Sequence, residues 1–237
     1  MRRFGHPRVH HRLTDSTNAR ARELALAGAP DRTVVTASEQ SAGRGRQGRS
    51  WSAPPGKALL MSAIVRDLSR RDALLPLAVP VAVADACDGF AGTNCGIKWP
   101  NDIWIGGRKL SGILLEGRPQ EGWAVLGIGL NVGTKRDEFP EELRETATSL
   151  LVASGSDPGV EVVLDAVLGA LDEWLARPTD AVLAAWRERD VLRGQRIHWN
   201  GGEGQANGVD KDGGLIVETD SGRVVLDAGE VHLQRAP

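Results

Sequence analysis

The chain has no tyrosine, only three phenylalanines, and just two cysteines among its 237 residues. Two thiols, Cys87 and Cys95, are too few for a disulfide scaffold, so a reducing compartment, the cytoplasm, is expected, with both side chains in the core. Charge of one sign is missing too. Lys and Arg number 29 against 31 Asp and Glu, and the net of −2 excludes a global electrostatic pull toward nucleic acid or a membrane surface. Any basic site must be local. No apolar run approaches transmembrane length, and the positive residues near Met1 have no hydrophobic stretch behind them, so neither anchor nor signal peptide is expected. Repeats and low-complexity tracts are absent. What remains is an ordinary globular composition, 41% hydrophobic and 25% charged, long enough for one large domain or one domain with a small appendage.

Local signals divide the chain. Asp15-Ser16-Thr17-Asn18 precedes an Ala/Leu/Arg/Glu-rich run, Ala19 to Ala27, and Gly28 follows it, which predicts a capped helix. Strands are expected at 33–37, 58–65, 97–99, 103–105, 110–115 and 123–132, with a turn at Gly106-Gly107. Residues 73–90 read as helical, but Pro76 and Pro80 confine the expected helix to the part from Pro80 onward. Helical spacing returns over 161–174, and a further helix is expected over 181–189. From Gly194 the texture changes to five short β-like runs separated by Gly-rich turns, the pattern of a small hairpin-built barrel. The boundary falls near Leu192. His6, His10 and His11 lie in an unpatterned leader with no Cys or carboxylate at ligand spacing, so no metal site is assigned to them.

The densest chemistry is Gly43-Arg44-Gly45-Arg46-Gln47-Gly48-Arg49-Ser50-Trp51. Glycines let backbone N–H groups approach a ligand, and each Arg offers a rigid fork that matches carboxylate or phosphate. The loop fits a dinucleotide fingerprint (Gly43, Gly45, Gly48) and a phosphate-loop pattern with Arg49 where Lys belongs. Both patterns need a helix to start there. Pro54 and Pro55 forbid one, since the residue before each proline is pushed out of the helical region. A second constellation, Lys98-Trp99-Pro100-Asn101-Asp102 followed by Lys109-Leu110-Ser111-Gly112-Ile113-Leu114-Leu115-Glu116, spreads two lysines and an Asp over one hairpin. A third, Gly127-Ile128-Gly129-Leu130-Asn131, is a strand whose glycines imply a close approach by a ligand or neighbouring chain.

In order and approximate spacing, Asp15-Ser16-Thr17-Asn18, Glu39-Gln40, the arginine-glycine loop, Lys98 to Asp102, Lys109 to Leu114 and Gly127 to Asn131 resemble the biotin protein ligase family. The resemblance runs from about Asp15 to the C-terminus. It implies an α+β fold: a mixed β-sheet flanked by helices, of the class II synthetase-like biotin/lipoate ligase type, plus a small C-terminal SH3-like β-barrel. The corresponding division is a leader over 1–14, a catalytic domain over 15–192 and the barrel over 193–237. Some family members carry an N-terminal winged helix that binds DNA; about fourteen residues precede the first motif here, so a form without operator binding is expected.

The implied reaction joins biotin and ATP, with Mg²⁺, into biotinyl-5′-AMP and then transfers biotin to a lysine of a biotin carboxyl carrier domain. By the same resemblance, Ser16, Thr17, Asn18 and Gln40 would pair with the ureido ring, with Gly43, Gly45, Gly112 and Trp51 around it. Lys109 would orient the biotin carboxylate; Arg44 and Arg46 would contact the reacting carboxylate and phosphates, Arg49 the phosphates or pyrophosphate. Lys98 and Asp102 would lie at the adenylation centre, Asp102 organising Mg²⁺ or the attacking lysine. Asn101 and Asn131 would face the nucleotide. A loop so rich in Gly and Arg is expected to order over the ligand as a lid. Two other readings stay open at this point: lipoate or octanoate transfer on a related fold, and a non-catalytic nucleotide- or RNA-binding module using the same loop.

Overall fold

The computed structural model describes residues 3–68, 75–92, 94–227 and 229–233. Its larger sheet contains β1 (Arg8–His11), β2 (Val34–Ala37), β3 (Ala58–Arg66), β4 (Gly96–Lys98), β5 (Asp102–Ile105), β6 (Arg108–Arg118) and β7 (Trp123–Asn131), in the order β1-β2-β3-β7-β6-β5-β4. Only β1 and β2 run parallel; every other neighbouring pair is antiparallel, so the sheet is mixed. β1 lies within the stretch that reads as a leader in sequence. It pairs Arg8 with Val34 through His11 with Ala37, and its half-exposed edge position explains why Arg-Val-His-His shows no apolar alternation.

Period-two alternation along β3, β6 and β7 gives the sheet two different faces. Leu59, Met61, Ala63 and Val65 of β3, with Leu126, Ile128 and Leu130 of β7, point to one side and bury themselves among α2 (Leu75–Ala91) and α4 (Val160–Trp174). On the other side Ile64 and Val125 meet Ala21 and Ala25 of α1 (Thr17–Leu26), which covers only one end of that face. The uncovered end carries Ser62, Gly112, Gly127 and Gly129, where little side-chain volume fills the space.

Helix α1 begins at Thr17, two residues earlier than the alanine run implies; Ser16 stands at its N-cap in an extended conformation without a capping side-chain bond. Thr17 and Asn18 are thereby carried on the first turn, against the sheet. Helix α2 contains Pro80 rather than starting at it. The missing Pro80 N–H removes a bond only to the first turn, and Val79, Val81, Ala82, Val83 and Ala84 are all fully buried, so tertiary burial outweighs the break. Ala73, where the helical-looking stretch begins in sequence, lies outside the described residues. A short helix absent from the sequence reading, α3 (Leu150–Ser154), is capped by Ser149, whose Oγ accepts from the Val152 N–H at 3.1 Å. Next, α5 spans Thr179–Glu188.

The chain then enters a second sheet: β8 (Arg196–Trp199), β9 (Gly202–Val209), β10 (Leu215–Thr219), β11 (Gly222–Leu226) and β12 (Val231–Leu233). All pairings are antiparallel, in the order β11-β10-β9-β8-β12. Its apolar residues Ile197, Ala206, Leu215, Val217 and Val231 belong to the same continuous core as α2 and α5. Side chains also tie the second sheet to the rest of the molecule: the Trp99 Nε1–H, just after β4, donates to the Gly213 carbonyl at 2.9 Å, and Arg187 of α5 donates to that of Val209 at 3.1 Å.

Candidate active site

The open end of the larger sheet is the floor of a cavity of about 640 Å³. One end of it is neutral and rich in amides and hydroxyls. Gln40 Oε1 accepts from the Thr17 backbone N–H at 2.7 Å and from its hydroxyl at 3.1 Å. Ser62 Oγ lies 2.8 Å from Thr17 Oγ1 and 2.5 Å from Asn18 Oδ1, entirely beneath the surface. The strand glycines are what admit these groups. A Cβ on Gly127 would stand 2.2 Å from Asn18 Oδ1, and one on Gly129 would stand 2.4 Å from the Trp51 ring. Trp51 therefore lies flat on β7 as a wall, its buried Nε1 without a hydrogen-bond partner.

The other end is charged. Cross-strand register sets Lys98 opposite Asp102 and Asp102 opposite Gly112. A bulge after Ile103 then brings Lys109 back to Asp102, Nζ to Oδ1 at 2.8 Å, with Nζ 5.8 Å from the Trp51 ring centre. Lys98 stands 5.1 Å from the Trp104 ring centre. Burial pushes Lys98 below the usual lysine range, against the opposing pull of Asp102 and Glu230. Arg46 is pushed down for the same reason, with Asp102 again opposing. These are cations held where water screens them poorly and an anion would relieve them.

The arginine loop closes on itself. Arg44 and Ser50 form a bridge, Gly45 N–H donates to the Arg49 carbonyl at 2.7 Å, and Arg46–Gly48 make a single tight turn with Gln47 in the left-handed region. No helix follows, as the prolines dictate. Outside, Arg49 reaches Glu230, in the loop just before β12, at 2.7 Å. Another cavity, of about 800 Å³, lies beyond the loop, between Pro76, Pro80, Trp99, Gly213 and Glu116.

Ser16, Thr17, Asn18, Gln40, Arg44, Gly45, Arg46, Arg49, Trp51, Lys98, Asn101, Asp102, Lys109, Gly112 and Asn131 all line the first cavity. Gly43 does not; it supports the wall, leaving no room for a Cβ beside the Trp51 carbonyl. Asn101 and Asn131 each spend one amide N–H on a backbone carbonyl, of Ile113 (2.6 Å) and Thr148 (3.0 Å), which fixes their orientation and leaves the second N–H and the side-chain oxygen for a ligand. Sequence reasoning missed Ser62, whose hydroxyl joins Thr17 to Asn18, and Glu230, from the loop that leads into β12. In sequence Ser62 is a lone serine within an otherwise apolar run, and Glu230 carried no local signal. Among the described residues no three His, Cys, Asp or Glu side chains gather as a metal site.

Residues 10–132 match the Biotin/lipoate A/B protein ligase family, and residues 193–233 match the Biotin protein ligase C terminal domain. The chain belongs to the Biotin/lipoate A/B protein ligase family. Among its relatives, the biotin--[acetyl-CoA-carboxylase] ligase of Mycobacterium tuberculosis is 35% identical over 239 residues, covering 93% of this chain and 87% of that one. The bifunctional ligase/repressor BirA of Bacillus subtilis is 33% identical over 243 residues, covering 97% and 75%. In structure, the biotin protein ligase of Aquifex aeolicus in complex with biotin and ATP superposes with a TM-score of 0.83 at 27% identity, covering 97% of this chain and 99% of that one.

Proposed function

We propose that the protein activates biotin with ATP and transfers it to a lysine of a biotin carboxyl carrier domain. The observation that carries this reading is one cavity with two ends, an amide- and hydroxyl-lined pocket suited to a urea ring and a cluster of Lys98, Lys109, Arg46 and Arg49 suited to meeting anions. The first step has a carboxylate oxygen attack the α-phosphorus, forming a mixed anhydride and releasing pyrophosphate. A carboxylate and a phosphate oxygen about 4 Å apart repel by roughly 4 kcal/mol at an effective dielectric near 20, so cations must offset that repulsion. Lys109 orients the carboxylate, Arg46 and Arg44 bridge it to the phosphates, and Arg49 holds the departing pyrophosphate. In the second step a carrier lysine attacks the acyl carbon, AMP leaves, and the ammonium formed loses its proton.

Magnesium would arrive on the triphosphate and neutralise phosphate charge; Asp102 would be the carboxylate to meet it, a small protein share of the kind such sites use. Since Asp102 is held by Lys109, the carboxylate of biotin would compete with Asp102 for the same ammonium. Two free buried thiols support a cytoplasmic setting.

Exchange of labelled pyrophosphate into ATP tests the reading: it should need biotin and not respond to lipoate. Exchange driven by lipoate would move the protein to the other branch of the family, and salt-sensitive RNA binding without exchange would make it a binding module. In the same assay Arg46→Ala should lose about 3 kcal/mol of transition-state stabilisation, roughly a hundredfold in rate. An unchanged rate removes Arg46 from the mechanism.

A further inference from the structure

Glu116 closes the Lys109–Glu116 segment, yet no step above uses it. It lies on β6 and faces the 800 Å³ cavity, not the pocket that holds Thr17 and Gln40. Its carboxylate nevertheless accepts from Asn18 Nδ2 at 2.8 Å, and Arg22, one helical turn further along α1, reaches its other oxygen at 3.4 Å. An ionised carboxylate can only accept, so the Asn18 atom facing it is the NH₂ group and the opposite end is the carbonyl oxygen. That oxygen rests over Gly127 and receives the Ser62 hydroxyl. Gln40 is oriented by the same logic, because its 2.7 Å partner is a backbone N–H, which can only donate.

From this geometry we infer that Glu116 is a positioning residue for ligand selection: acting through Asn18 from behind the pocket wall, it holds an acceptor toward the cleft for a urea-type N–H. Without it, the Asn18 amide can rotate and present donors instead. Donor then meets donor, and recognition of the ring is lost. Arg22 keeps the carboxylate turned inward. The inference rests on the reading of the cavity as a biotin site.

The test is steady-state adenylation by wild type, Glu116→Leu, Glu116→Gln, Asn18→Asp and the pair Asn18→Asp/Glu116→Gln, with melting followed in parallel. Glu116→Leu should raise the biotin KM about tenfold or more, the scale of one unmade buried hydrogen bond, while the ATP KM stays unchanged. Glu116→Gln keeps an acceptor for Asn18 and should sit closer to wild type. Asn18→Asp alone sets two carboxylates against each other; adding Glu116→Gln exchanges donor and acceptor across the pair and should restore much of the biotin KM. A role in folding alone predicts no such rescue. Equal biotin KM for the Leu and Gln variants, an equal rise in the ATP KM, or no rescue by the pair overturns the inference. Wild type without biotin-dependent exchange overturns the functional reading and this inference with it.

Discussion

Lys98 and Arg46 carry their charges under a burial cost that free side chains avoid, and that cost is itself a signal of function. Burial destabilises the ammonium relative to the neutral amine, so Lys98 loses its proton at a lower pH than free lysine. The useful species is the cation. Adenylation should therefore decline on the alkaline side below the ordinary lysine range, and Lys98→Arg should carry that limb upward, as a pH–rate profile would reveal. A limb unchanged in Lys98→Arg would assign the titration to another group. Most of the residues at both ends of the cavity were legible in the sequence because each sits in a motif whose spacing survives without coordinates. Ser62 and Glu230 were not. A single serine in an apolar strand looks like any other, and Glu230 approaches Arg49 only once two sheets pack together.

Helices were legible where burial is one-sided and less so where it is total, while buried strands were read from their apolar runs. The half-buried α4, with its inward Val163, Leu164, Val167 and Leu171, shows clean helical spacing. Helix α2 is apolar almost all round, which hides its period and makes Pro80 look like a start. At the opposite extreme, β1 is an exposed edge whose pairing is all backbone. Within β7, alternation does two jobs at once: even-numbered residues fill the core and the glycines leave the site open. Gly129→Ala would drive a methyl to within 2.4 Å of the Trp51 ring, so the indole must leave its seat. We expect a loss of about 1–3 kcal/mol in stability from overpacking, measured by denaturant titration, together with weakened ligand binding. A variant as stable as wild type would show that Trp51 has another resting position.

For the molecule as a whole, composition suggested a large unit and an appendage, but the apolar core runs without interruption from α2 through α5 into the second sheet. Such continuity predicts one cooperative calorimetric transition rather than two. Ending the chain at residue 192 should expose the core at Trp186 and Leu192 and leave a protein that melts without cooperativity. Two separable transitions would assign the second sheet its own stability.

The missing tyrosines have a practical consequence. Near-ultraviolet emission from this chain comes from seven indoles, and Trp51 is one whose ring borders the reacting groups, with an ammonium 5.8 Å from its centre and its own N–H unsatisfied. A carboxylate that draws Lys109 aside changes the field across that indole, so the spectrum should shift as the site fills. If Trp51→Phe abolishes most of the shift, the protein reports its own occupancy by colour, without a label.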